Sequence, residues 1–190
     1  MKIGILAIQG DYQAHAAALD RLGIAHQFVR RPDDLAHLSG VILPGGESTT
    51  HVKMLREEGL WDALKNFAAG GGAFFGTCAG AILLAREAHG PSQPSLGLLD
   101  ISVLRNGYGR QLASDVHMGQ TKLRPEPLEM VFIRAPIIES AGQEVEILAV
   151  DAGHPVMVRQ GRILASTFHP ELTRDTAVHE YFASIVRNSH

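Results

Sequence analysis

Four short apolar runs in the first half of the chain, residues 3–8, 25–29, 41–43 and 73–75, are separated by amphipathic stretches and stopped by glycine or proline. Runs of that length bounded by turn residues read as buried strands rather than core helices. Between them, residues 12–22 read as a helix stopped by Gly23. Residues 49–69 read as a second helical stretch, broken near Gly59 and ended by Gly70-Gly71-Gly72. Strands alternating with helices imply right-handed crossovers and a parallel sheet covered on both faces. The fourth run leads into Gly76-Thr77-Cys78-Ala79-Gly80, followed by an apolar segment that predicts a helix through Ala88.

The second half is patterned differently. Residues 89–97 form a Pro/Gly/Ser loop, and the runs 98–104, 120–123, 131–133, 145–150, 156–158 and 163–168 are strand-like. A last helix is expected over 173–187. This predicts an α/β fold in which one mostly parallel sheet is completed by antiparallel strands. With 190 residues and no internal repeat or low-complexity linker, residues 1–190 are expected to form a single domain.

The net charge is −3, and the longest basic cluster is Arg30-Arg31, so nucleic acid and anionic membranes are not expected partners. The single cysteine can form no intrachain disulfide and suits a reducing compartment. The apolar N-terminal run is broken at Gln9-Gly10-Asp11, too early for a signal peptide. No stretch approaches the ~20 apolar residues that cross a bilayer. A cytoplasmic protein is the expectation.

Three motifs carry chemistry. Gly76-Thr77-Cys78-Ala79-Gly80 has the G-x-nucleophile-x-G form between a predicted strand and a predicted helix, the context of a nucleophile elbow. A thiol there sits at a helix N-terminus, whose partial positive charge favours the thiolate. His169-Pro170-Glu171 follows a strand; in extended backbone, residues two apart point the same way, so Glu171 can orient His169 as the base of a Cys–His pair. Pro44-Gly45-Gly46-Glu47-Ser48 lies at the end of a strand and offers backbone N–H groups, so Gly46 and Ala79 can form an oxyanion hole. Singly each has a plainer reading: a buried apolar cysteine, a surface turn with a solvated Glu, a tight glycine turn. Together they supply nucleophile, base, orienter and oxyanion donors.

Competing chemistries fit less well. The glycine loop lacks the lysine of a Walker phosphate loop, and Gly70-Gly71-Gly72 precedes its strand where a dinucleotide fingerprint would follow it. The ten histidines are dispersed and the lone Cys makes no thiolate cluster, so no metal is predicted and most histidines are expected to be surface or structural.

These motifs resemble those of the class I (triad) glutamine amidotransferases. Within them the chain is similar to the glutaminase subunits of pyridoxal 5′-phosphate synthases. The closer similarity rests on Leu6-Ala7-Ile8-Gln9-Gly10-Asp11, Gly45-Gly46-Glu47-Ser48-Thr49-Thr50 and Phe75-Gly76-Thr77-Cys78-Ala79-Gly80. It extends through Arg105-Asn106-Gly107-Tyr108-Gly109-Arg110-Gln111, Val131-Phe132-Ile133-Arg134-Ala135-Pro136 and Ser166-Thr167-Phe168-His169-Pro170-Glu171-Leu172-Thr173. Gly107 and Val116-His117-Met118 depart from the family's pattern. The resemblance implies a three-layer flavodoxin-like fold and hydrolysis of L-glutamine to L-glutamate and ammonia through Cys78, His169 and Glu171, without a cofactor. It implies that Gly46, Glu47, Ser48, Arg105, Ile133 and Arg134 hold the glutamine, and an arginine fork does suit a substrate carboxylate. The implied partner is a (β/α)8-barrel synthase subunit, in an assembly of twelve synthase and twelve glutaminase subunits.

Two other functions stay open on sequence. A γ-glutamyl hydrolase would use a related Cys/His site on folate polyglutamates; release of free glutamate from polyglutamate separates it from a source of ammonia. A non-catalytic interaction protein would leave Cys78 unlabelled by an electrophilic glutamine analogue.

Overall fold

The computed structural model describes residues 1–106 and 115–188. Its first half follows the strand–helix alternation: β1 (Ile3–Leu6), α1 (Tyr12–Arg21), β2 (His26–Val29), β3 (Gly40–Leu43), α2 (Ser48–Glu57), α3 (Leu60–Ala69) and β4 (Ala73–Thr77). The break between α2 and α3 falls at Gly59, whose φ of 71° is left-handed backbone. After β4 come α4 (Ala79–Leu84), β5 (Ala85–His89), β6 (Leu99–Leu104), β7 (Asp115–Gly119), β8 (Leu128–Phe132) and β9 (Ile137–Ala141). The chain closes with β10 (Glu146–Asp151), β11 (His154–Gln160), β12 (Ile163–Ser166) and α5 (Ala177–Arg187).

Among the described residues the central sheet has seven strands in the order β10-β11-β12-β4-β3-β1-β2. The pairs from β12 to β2 are parallel, while β11 is antiparallel to both β10 and β12. Neighbouring side chains on a strand enter opposite layers. Phe74 and Leu6 pack with Leu55, Leu64 and Ile82 of α2, α3 and α4. Phe75, Ile3 and Ile5 pack with Leu19 of α1 and Phe182 of α5. Both faces are therefore covered, which is why these strands read as unbroken apolar runs rather than alternating ones. Each fully buried Phe or Leu contributes roughly 1.5–3 kcal/mol.

The second half differs from the sequence expectation in several places. The apolar helix predicted through Ala88 ends at Leu84, and Ala85 turns extended (φ −55°, ψ 152°). Residues Ala85–His89 pair in parallel with β6, with an irregularity between Ala85 and Glu87 that lets Ala85 and Ala88 both face the core. Strand pairing here overrides a sequence of good helix formers. Among the described residues β10 and β11 alone extend the main sheet antiparallel; β5-β6-β9 form a separate three-stranded sheet and β7-β8 a two-stranded one. The run 120–123 contributes one isolated bridge, Thr121 to Ala149, rather than a strand. The last helix starts at Ala177, because Asp175 accepts from the Ala177 N–H at 3.0 Å while its own N–H donates to Thr173. Among the described residues no helix is long and apolar enough to cross a membrane.

Candidate active site

The C-terminal ends of β1, β3, β4 and β12 converge, and the loops that leave them build one cavity of about 400 Å³. Crevices at this edge of a parallel sheet are where α/β folds place ligands, and the volume is in the small-molecule range.

Cys78 sits between β4 and α4 with φ 48° and ψ −104°, a conformation that a non-glycine residue adopts only under constraint. Its N–H donates to Ser166 O at 2.9 Å on β12. The turn is tight because Gly80 lies on β3: a Cβ there would stand 1.9 Å from Leu43 O. A Cβ on Gly76 would in turn come within 2.6 Å of Gly80. The two glycines of the motif are thus required by packing, and they leave the Cys78 side chain at the cavity floor with Sγ 3.9 Å from Ile133 O.

His169 leaves the sheet after β12, fixed by its N–H donating to Val131 O at 2.8 Å. Its ring lies against the Gly45 backbone, where a Cβ would come within 2.3 Å of Cε1. His169 Nδ1 is 2.7 Å from Glu171 Oε1. The carboxylate reaches the ring from a 3₁₀ turn, Pro170–Leu172, rather than along extended backbone as the sequence suggested. Burial pushes the His169 pKa down, but hydrogen bonds with Cys78 and Glu171 overcome it and raise the value to about 10. The imidazole is therefore protonated at neutral pH. Glu171 is held below the usual carboxylate range: burial raises it, while His15 and His169 lower it further than that.

The site continues into the core, through residues the motif reading did not single out. Thr77 Oγ1 donates to Glu171 Oε1 at 3.4 Å, His15 Nε2 is 3.2 Å from Thr77 Oγ1 and 3.6 Å from Glu171 Oε1, and His15 Nδ1 is 2.9 Å from His179 Nε2. Among the described residues four histidines are buried, His15, His51, His169 and His179. The signal available in sequence was a histidine on the apolar stripe of a helix, His15 beside Ala16 and Leu19 on α1, His179 beside Val178 and Phe182 on α5.

On the cavity wall stand the residues expected to hold substrate: Gly46, Glu47 and Ser48 on one side, Arg105, Ile133 and Arg134 on the other. Glu47 is also the N-cap of α2, accepting from the N–H groups of Thr49 and Thr50 at 3.0 and 2.7 Å and from both hydroxyls. Burial raises its pKa, but these four bonds prevail and set it at about 2. Arg105 donates to Pro91 O at 3.0 Å and Thr49 Oγ1 at 3.4 Å, and its guanidinium is 4.0 Å from Glu47. A fixed anion and a fixed cation thus face the cavity. Ser48 Oγ donates to Gln93, and Arg134 has a φ of 44°. Ala79, the other expected oxyanion donor, opens α4 directly after Cys78. Gln9, Asp11 and Asn106 also line the cavity and were not read as site residues. Gln9 Oε1 accepts the Glu47 N–H at 3.1 Å and occupies the space a Gly46 Cβ would need. Residues 107–111, part of the family-like stretch that includes Gly107, lie outside the described residues. Asp11, His169 and Glu171 bring three ligand-type atoms within 4.8 Å, but His169 Nδ1 is already bonded to Glu171.

Residues 5–188 match the model of the SNO glutamine amidotransferase family. A pyridoxal 5'-phosphate synthase subunit PdxT from Koribacter versatilis is 50% identical over 190 residues, covering 100% of this chain and 98% of that protein. The protein of the same name from Deinococcus radiodurans is 50% identical over 190 residues, covering 97% of each. A crystal structure described as a glutamine amidotransferase superposes with a TM-score of 0.91 at 47% identity, covering 97% of this chain and 98% of that one.

Proposed function

The chain belongs to the SNO glutamine amidotransferase family, and from that membership we propose that it hydrolyses L-glutamine and delivers ammonia to a pyridoxal 5′-phosphate synthase. The observation that carries this reading is the Cys78 elbow facing a His169–Glu171 pair at the floor of a cavity whose wall holds the Glu47 carboxylate and, 4.0 Å from it, the Arg105 guanidinium. A zwitterionic amino acid needs both signs of charge, and its side chain would then point at Cys78.

These positions support the following reaction. The Cys78 thiolate adds to the glutamine amide carbon, and the N–H groups of Gly46 and Ala79 receive the oxyanion. His169, protonated at neutral pH, donates its proton to the amide nitrogen. The C–N bond breaks, ammonia leaves, and a γ-glutamyl thioester remains on Cys78. His169 then takes a proton from water, which adds to the thioester carbon. Collapse of the second tetrahedral species returns the thiolate and releases glutamate. Glu171 keeps the imidazole oriented throughout.

The named relatives are synthase subunits, which supports a synthase partner. We read residues 1–190 as one glutaminase domain acting in the cytoplasm, docked on a (β/α)8-barrel subunit in an assembly of twelve and twelve. The test is ammonia release from glutamine by the chain with its synthase. Cys78→Ala should abolish it, and release of glutamate from folate polyglutamate instead would overturn the reading.

A further inference from the structure

Behind Glu171, on the side away from the cavity, two fully buried histidines from opposite ends of the chain touch each other. His15 comes from α1 and His179 from α5, and no step of the reaction above uses either. Burying two imidazoles is costly unless their hydrogen bonds are made.

Their tautomers can be assigned from the bonds. His179 Nδ1 is buried and has no hydrogen-bond partner among the described residues. A bare lone pair there costs less than a stranded N–H donor, so the His179 proton belongs on Nε2. His179 Nε2–H therefore donates to His15 Nδ1 at 2.9 Å, which places the His15 proton on Nε2. That N–H points at Thr77 Oγ1, 3.2 Å away, with Glu171 Oε1 at 3.6 Å. Thr77 passes its own hydrogen to Glu171 Oε1 at 3.4 Å. Every donor in the series faces the same way, and the series ends on the oxygen that accepts from His169 Nδ1. The opposite arrangement would aim a His15 lone pair at the carboxylate and strand a donor on His179.

Resting on the glutaminase reading, we propose that His15 and His179 are positioning residues: a one-way chain of hydrogen bonds, His179 to His15 to Thr77 to Glu171, holds the carboxylate in the orientation from which it grips His169. Among the described residues Glu171 Oε2 is buried with no partner, and the grip on His169 is made by Oε1. The pKa of both core histidines is lowered, first by burial, which keeps them neutral donors. Asp11 and Arg21 are the other charged groups that face them, and His169 faces His15 across Glu171.

The experiment measures glutaminase kinetics of the chain with its synthase for His15→Leu, His15→Gln and His15→Asn. Gln can place an N–H near the position of Nε2, whereas Asn reaches only to Nδ1. Loss of the His15–Thr77 bond leaves the buried Thr77–Glu171 pair short of a donor and should lower kcat in His15→Leu and His15→Asn by about ten- to a hundredfold, with KM within about twofold. The alkaline limb of kcat against pH should move to lower pH, and His15→Gln should restore both. The proposal is overturned if kcat in His15→Asn stays within twofold of the parent, if KM rises instead, or if Gln does no better than Asn. Should His15→Leu fail to fold, the Gln and Asn pair, both polar, carries the same comparison. If the parent protein itself released no ammonia, the glutaminase reading would fall; nitrogen NMR of the His169 ring across pH would still read the relay, its midpoint falling in His15→Asn and returning in His15→Gln.

Discussion

One carboxylate separates two histidine environments of nearly equal burial and opposite chemistry. On the cavity side of Glu171, His169 is raised to about 10; on the core side, His179 is lowered to about 3. Both are penalised by burial, the largest influence on each. His169 recovers because it bonds directly to Glu171 and to Cys78, whereas the bond His179 makes in the core is to another neutral imidazole. Burial alone therefore does not set a histidine's charge; a directly bonded anion does. The cavity side is built to hold a proton for transfer and the core side to hold none.

The most severe way to break the contrast is to remove the groups that make the cavity side charged. Cys78→Ala and His169→Asn should each lower kcat/KM by about 10⁴-fold or more. Glu171→Gln should cost roughly 10³-fold, less than either, because it orients rather than reacts. With its anion gone, His169 should lose its proton at a lower pH, so the alkaline limb should fall from near 10 towards neutrality. An unchanged limb in Glu171→Gln would mean that the carboxylate does not set the difference.

A partner should act on the cavity side alone. The Gly45-Gly46 peptides can reorient at little steric cost, and a missing oxyanion donor costs on the order of 10²–10³ in rate. The free chain should therefore be slow, and titration with purified synthase should raise kcat by that factor, more than it lowers KM. A flat titration with a free chain already turning over several times per second would remove the switch. On the same side, Arg105→Ala or Arg134→Ala should raise KM by an amount worth about 1–3 kcal/mol before kcat suffers. Normal saturation in both would take them off the cavity wall as binding residues.

The core side is tested through stability. His179 has a folded pKa below its unfolded value, so its contribution is present above about 6.5 and is lost as pH falls towards 3. His169 runs oppositely: its contribution is full below about 6.5 and is lost as pH rises through about 10. His179→Gln keeps a donor to His15 but does not titrate. Between pH 7 and 5 it should flatten the parent's loss of stability by about 2 kcal/mol, read as Tm against pH, while activity at pH 8 holds. A parallel decline in both proteins would show that His179 is not buried neutral.

Much of the cavity side was legible because its motifs are local. The elbow, the glycine loop and His169-Pro170-Glu171 each declare their chemistry within five residues, and β12, β4 and β3 then bring them together. The segment 85–89 was misread because nothing in Ala85-Arg86-Glu87-Ala88-His89 says that β6 lies alongside it. The strands at 115–119 and 137–141 went unread for the same reason. Residues Asp115, His117 and Glu139 interrupt their apolar patterns, and only the partners β8 and β6 make them strands.

The sequence by itself determined that strands and helices alternate, where the turns fall and which residue could be the nucleophile, since backbone preference and apolar periodicity act between near neighbours. Only the tertiary structure decided that Gly45 must be glycine, because the His169 ring occupies its Cβ position. It alone also brought His15 to His179 across 164 residues of chain. Protonation is set by what lies within hydrogen-bonding distance, and for these side chains that is fixed by how α1 and α5 pack on one face of the sheet.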